Sequence, residues 1–151
     1  MRRALLLLLS LTGCTNDQVV EARVEHGRLV LDTRPGESKC LGFLRVTRGA
    51  ETMWEIVAKG PRGEQRMCAG RFPLTYGHLP PGFTEAVSAK APTSATYLLV
   101  GTGEKFLRAA FRFDGRSVTN AAPDSAEWCA IQYPGSHRNW AGGCSIDSAN
   151  N

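Results

Sequence analysis

The stretch ATYLLVGTGEKFLRAAFRF, residues 95–113, decides the fold class. From Lys105 onward it alternates: Leu107, Ala109, Phe111 and Phe113 fall on one side, with Arg108, Ala110 and Arg112 between them. Successive side chains of a β-strand point to opposite faces, so this pattern predicts a strand with one face on a core. Ala95–Val100 is a second, mostly apolar run, and Gly101, Thr102, Gly103 and Glu104 join the two. Two such runs around a short glycine-containing loop make a β-hairpin.

The same logic extends in both directions. Val19–Asp32 is a second predicted hairpin, broken at His26-Gly27, and Arg34–Lys39, with Pro35 and Gly36, is a loop. Gly42–Thr47 and Met53–Lys59 are further strands separated by Arg48–Glu51; in the latter, Trp54, Ile56 and Ala58 alternate with Glu55, Val57 and Lys59. Gly60, Pro61, Arg62 and Gly63 form a turn signal. Downstream, Asp114-Gly115 turns the chain into Ser117–Thr119. Pro123–Trp128 is the one candidate helical turn, with Asp124 and Glu127 at capping-box spacing, and Cys129–Tyr133 reads as a last strand. No segment keeps an apolar period near 3.6 for three turns, so long helices are not expected. The sum is an all-β chain: a single antiparallel β-sandwich, or a barrel-like domain, over residues 19–133, followed by a Gly/Ser/Asn-rich tail, 134–151, expected to be loose except where Cys144 pins it.

The first residues follow a different pattern. Arg2 and Arg3 precede an apolar run, Ala4–Leu11, interrupted only by Ser10, which has the form of a secretory signal. A spanning helix needs about twenty apolar residues, so this run is too short to remain in a bilayer. It closes on Leu11-Thr12-Gly13-Cys14. That order resembles the lipobox of bacterial lipoproteins. The resemblance implies a signal peptide over residues 1–13, removed on maturation, and acyl chains on Cys14. Residues 14–18 then form a lipidated N-terminus and tether. The alternative is a plain cleaved signal with an ordinary cysteine near the cut. In enteric-type sorting an aspartate directly after the cysteine marks retention in the inner membrane; here that place holds Thr15, which implies the periplasmic face of the outer membrane.

This reading reorganises the cysteines and the charge. Five cysteines are an awkward number for an exported chain. With Cys14 on lipid, Cys40, Cys68, Cys129 and Cys144 remain, an even set that predicts two disulfides in an oxidising compartment. Four cysteines allow three pairings. The shortest loops come from Cys40 with Cys68 and Cys129 with Cys144. No two of them stand at CxxC spacing, so a zinc site is not expected, and no other cofactor is indicated. Of the formal charge of +4, Arg2 and Arg3 supply two, leaving +2 for the mature 138 residues. Such a balance argues against nucleic acid as a partner.

Two stretches are candidates for binding. In Phe72–Phe83, three prolines and two glycines fix the backbone while Tyr76, His78 and Phe83 offer aromatic rings beside Pro80 and Pro81. A rigid aromatic loop loses few rotamers on binding, which suits a contact surface; alternatively Tyr76 and Phe83 plug one end of the fold and the prolines protect an edge strand. This stretch, followed by the strand at Tyr97, resembles small envelope lipoproteins with a Pro, Tyr-Gly, Pro-Gly pattern before a hairpin, a likeness that implies a fold and no activity. The second candidate is Arg138 and Trp140, with His137 nearby, between Cys129 and Cys144, a composition typical of interface hot spots. His26, His78 and His137 lie in separate turn-like segments without metal or nucleophile spacing, so no catalytic residue is predicted. The expected function is therefore a membrane-anchored binding or structural module with an envelope protein as its partner. Inhibition of a cell-wall hydrolase such as lysozyme is an alternative by class analogy, and an enzyme with a site dispersed over loops is another.

Overall fold

The computed structural model describes residues 17–60, 68–123, 125–133, 136–138 and 144–146. In chain order the strands are β1 (Asp17–Glu25), β2 (Arg28–Thr33), β3 (Cys40–Leu41), β4 (Phe43–Arg48), β5 (Glu51–Ala58), β6 (Gly70–Arg71), β7 (Leu74–Thr75), β8 (Phe83–Val87), β9 (Ala95–Thr102), β10 (Phe106–Phe113) and β11 (Val118–Asn120). A single helix, α1 (Ala126–Gln132), follows, and then β12 (Ser136–Arg138) and β13 (Cys144–Ile146). The domain is all-β and takes the barrel-like form. One sheet in the order β7-β2-β1-β10-β9-β4-β5-β8, with β11 on β10, curls into a half-barrel. The two-stranded pairs β3–β6 and β12–β13 flank it.

The hairpin at residues 95–113 is the spine. β9 and β10 pair from Phe113↔Ala95 to Phe106↔Thr102 without a register shift. Leu107, Ala109, Phe111 and Phe113 all point into the curl and are buried. The joining turn is packed too tightly for any side chain but hydrogen at Gly103, where a Cβ would overlap the carbonyl of Cys40. Tyr97 stacks on Phe111 at 5.5 Å, and its hydroxyl both receives the Thr93 N–H and donates to the Thr93 carbonyl, which pins the chain entering β9.

One pairing is parallel. β1 runs beside β10 over Asp17↔Phe106 to Val19↔Arg108 and then leaves it, while β2 pairs antiparallel along the rest of β1. Beyond Val19 a side chain replaces the missing ladder: Asn120 donates to the Ala22 carbonyl and accepts from the Ala22 N–H, both at 2.8 Å. A carboxamide offers the same donor and acceptor pair as a peptide unit, so β11 is fastened to β1 without lying in its ladder.

The predicted last strand, Cys129–Tyr133, is helix instead, and this corrects the sequence reading. Ser125 caps α1 with its hydroxyl oxygen 3.0 Å from the Trp128 N–H, and Tyr133 N–H bonds back to the Cys129 carbonyl. Serine at this place satisfies an amide that the first turn leaves unpaired. Trp128, Cys129 and Gln132 then share one buried side, a spacing of one and four residues that a seven-residue helix shows too briefly to register as a period. Both disulfides join the neighbours in sequence, Cys40–Cys68 and Cys129–Cys144. Where Cys144 pins the tail, residues 136–138 and 144–146 form an antiparallel ladder beside the second bond. The Gly60–Gly63 turn signal, apart from Gly60, lies outside the described residues, as does Asp124.

Candidate functional site

Phe72–Phe83 proves to be the segment that closes the half-barrel. β7 pairs with β2 at one edge of the sheet and β8 pairs with β5 at the other, and only residues 76–82 separate these two edge strands. The chain therefore bridges the open side of the curl and carries its aromatic rings inward. Phe83 is 1% exposed and packs over Gly70, where a Cβ would come within 2.6 Å of its ring. Phe83 is thus core, and the expectation that it offers a contact face is corrected. Tyr76 meets Trp54 edge-on at 5.3 Å, and its hydroxyl lies 3.1 Å from the Met53 carbonyl and 2.9 Å from that of Lys90. Burial pushes this phenol up to about 12. It stays a protonated donor that ties the bridging segment to the far edge of the sheet. His78 and Pro81 remain exposed and Pro80 half-buried, so this part of the predicted surface faces solvent.

The opposite, convex side of the sheet carries a second constellation. Ala110 points outward from β10 yet is buried, because Trp128 of α1 packs over it together with Ala121. Next to this contact Arg108 donates to Asp17 at 3.1 Å and to the Tyr133 hydroxyl at 3.2 Å. The Tyr133 bond and the Asp17 carboxylate hold the guanidinium above the ordinary arginine range, a permanent cation at the start of β1. Arg108, Asp17, Tyr133 and Trp128 border a cleft of about 390 Å³, and a neighbouring one of about 280 Å³ lies between Phe106, Val100 and Tyr133. On the other flank of α1, a cleft of about 520 Å³ is floored by Leu98 and Ile131 and edged by Arg112 and Glu127, paired at 3.4 Å. Gln132 lines this cleft, and its buried side-chain N–H group has no hydrogen-bond partner among the described residues. A mainly apolar floor beside a fixed cation suits contact with a protein or an amphiphile.

Along the rim nearest the chain start, the register sets Phe106, Thr102, Phe43 and Val57 side by side on four consecutive strands. Phe106 is 57% and Val57 39% exposed, and Arg45 covers Phe43 with its guanidinium 5.6 Å from the ring centre. Sequence reading missed this row. It used the alternation of β10 to find the inward residues and passed over Phe106, the apolar residue on the wrong side of that alternation.

Other predicted residues are dispersed. Cys14, Trp140 and the side chains of His137 and Arg138 lie outside the described residues. His26 sits in the β1–β2 turn with φ of 49°, exposed, and shares no hydrogen bond with His78. Cys40, Cys68 and Glu104 are the only described residues whose ligand atoms gather as a metal site requires, but the two sulfurs are bonded to each other, which leaves one carboxylate. No helix among the described residues is long and apolar enough to cross a membrane. No family model, curated protein or solved structure matches the chain.

Proposed function

We propose that the protein is a lipoprotein of the bacterial cell envelope, held by acyl chains on Cys14 and working as a binding or structural module on the periplasmic face of the outer membrane. The observation that carries this reading is the order Leu11-Thr12-Gly13-Cys14 directly after a charged and apolar leader. The cysteine count supports it: of five cysteines, four are bonded to each other in two pairs, so Cys14 is the one left over. An exported domain with an unpaired cysteine at that position has a use for its thiol, and thioether formation to a lipid is one. Two or more acyl chains, at about 0.8 kcal/mol per buried methylene, hold a protein on a bilayer stably.

The module reading rests on the surface. The face around α1 combines a mainly apolar cleft over Leu98 and Ile131 with the fixed Arg108 cation at a neighbouring cleft. A tethered domain meets partners on the same membrane at high effective concentration, so a shallow face suffices for a lasting contact. The test is acyl labelling in the native host: wild type takes up labelled fatty acid and Cys14→Ala takes up none. Equal labelling of the variant overturns the assignment.

A further inference from the structure

We infer that the rim bearing Phe106, Phe43 and Val57 rests on the lipid surface that holds Cys14, so that the domain is seated on the bilayer in a fixed orientation and does not swing freely above it. This deepens the lipoprotein reading and rests on it. The first argument is where β1 begins. Asp17 is paired with Phe106 in the parallel ladder, so the tether joins β1 at the register position of the most exposed large apolar side chain among the described residues. Cys14 is three residues from Asp17, and three residues reach no more than about 11 Å when fully extended. The anchor therefore keeps the rim at residue 17 close to the headgroups.

The second argument is the chemistry of the rim. Helix α1 covers the convex face at Ala110, but Phe106, four residues along the same face, is left 57% exposed, and Val57 at the other end of the row is 39% exposed. Lys105 adjoins Phe106 and Lys59 follows two residues after Val57; both are exposed and neither forms an ion pair among the described residues. Glu104 precedes Lys105 in the same turn, and Asp17 at this rim is paired with Arg108. Apolar rings flanked by unpaired ammonium groups match the boundary between acyl chains and anionic headgroups, where the ring enters the apolar layer and the ammonium meets phosphate. A second copy of the chain is the competing occupant, and it has no such link to the anchor.

The experiment uses the full-length acylated protein in vesicles of phosphatidylethanolamine and phosphatidylglycerol, a tenth of whose chains carry bromine. Phe106→Trp places a fluorophore on the rim, and Arg116→Trp places one in the exposed turn at the opposite end of β10. Bromolipid quenching beyond that of the wild type is expected to be several-fold greater for Phe106→Trp than for Arg116→Trp, and to persist when a twenty-residue Gly/Ser segment lengthens the tether after Thr15. Equal quenching at both ends, or quenching at the rim that disappears with the longer tether, overturns the docking while the anchor stands. A concentration-dependent dimer abolished by Phe106→Ser also overturns it, in favour of self-association. Absence of acyl chains from Cys14 overturns the anchor, and the docking falls with it.

Discussion

The half-barrel and the C-terminal cap each carry one disulfide but lean on it to different degrees. The barrel buries a continuous cluster from Val20 to Phe113 that includes Leu31, Leu44, Trp54, Ile56 and Leu99, and its ladders join residues far apart in sequence. The cap, comprising α1 with β12 and β13, rests on Ala110, Ala121 and Trp128, supported by Ile131 and Cys144, and is closed by one disulfide across fifteen residues. A core of that size cannot order three short elements by burial alone, and here the covalent closure takes over. The barrel is thus expected to be stable without its cap, and the cap to depend on both the barrel and its bond.

Three variants would break or sharpen this contrast. Trp54→Ala has the largest expected effect. It empties a fully buried site and leaves Glu85 without the indole N–H it accepts at 3.1 Å, so urea denaturation should show a loss of about 3–5 kcal/mol, with barrel and cap unfolding together. Next is Cys129→Ser with Cys144→Ser. Closing a loop of this length is worth about 3 kcal/mol in the chain-entropy model, and hydrogen exchange should accelerate through residues 126–132 while residues 95–113 stay protected. Loss of protection in both regions would mean that cap and barrel are one cooperative unit.

The smallest effect belongs to the bridging segment. Tyr76→Phe removes one hydroxyl shared by two carbonyls, with an expected cost of about 1 kcal/mol. It also carries a pH signature. The phenol titrates near 10 in the unfolded chain and at about 12 in the folded one, so the folded state holds the proton more firmly. Its contribution is complete below pH 10 and is lost as pH rises towards 12. Denaturation of wild type against Tyr76→Phe should therefore give a stability difference that shrinks across that window; a constant difference would place the hydroxyl in solvent.

Much of the barrel was legible because it is written in nearest-neighbour patterns. Period-2 alternation identified β5 and β10, and glycine turns identified the hairpins β1–β2 and β9–β10. The parallel contact of β1 with β10 was not legible, since it joins Asp17 to Phe106 across most of the chain and three paired residues leave no local trace. The helix was lost for another reason: Cys129-Ala130-Ile131-Gln132-Tyr133 is a short apolar run that fits strand or helix equally, and its cap, Ser125, stands one residue from the Asp124 that the capping-box spacing suggested. For the surface, composition found aromatic rings in Phe72–Phe83 but not their direction. The closure of the curl turns Phe83 inward, whereas Phe106 stayed hidden behind the alternation that made its strand easy to find.

The place of β1 in the sheet has a mechanical consequence. It is an interior strand, between β2 and β10, and its first residue lies at the edge of the fold. A pull on residue 17 along the strand axis loads the β2 ladder, the β10 ladder and the Asn120 clasp at the same time, in shear, so they have to slide together. The tether thus joins the fold where traction is shared among several ladders, which suits a domain expected to be held by that end.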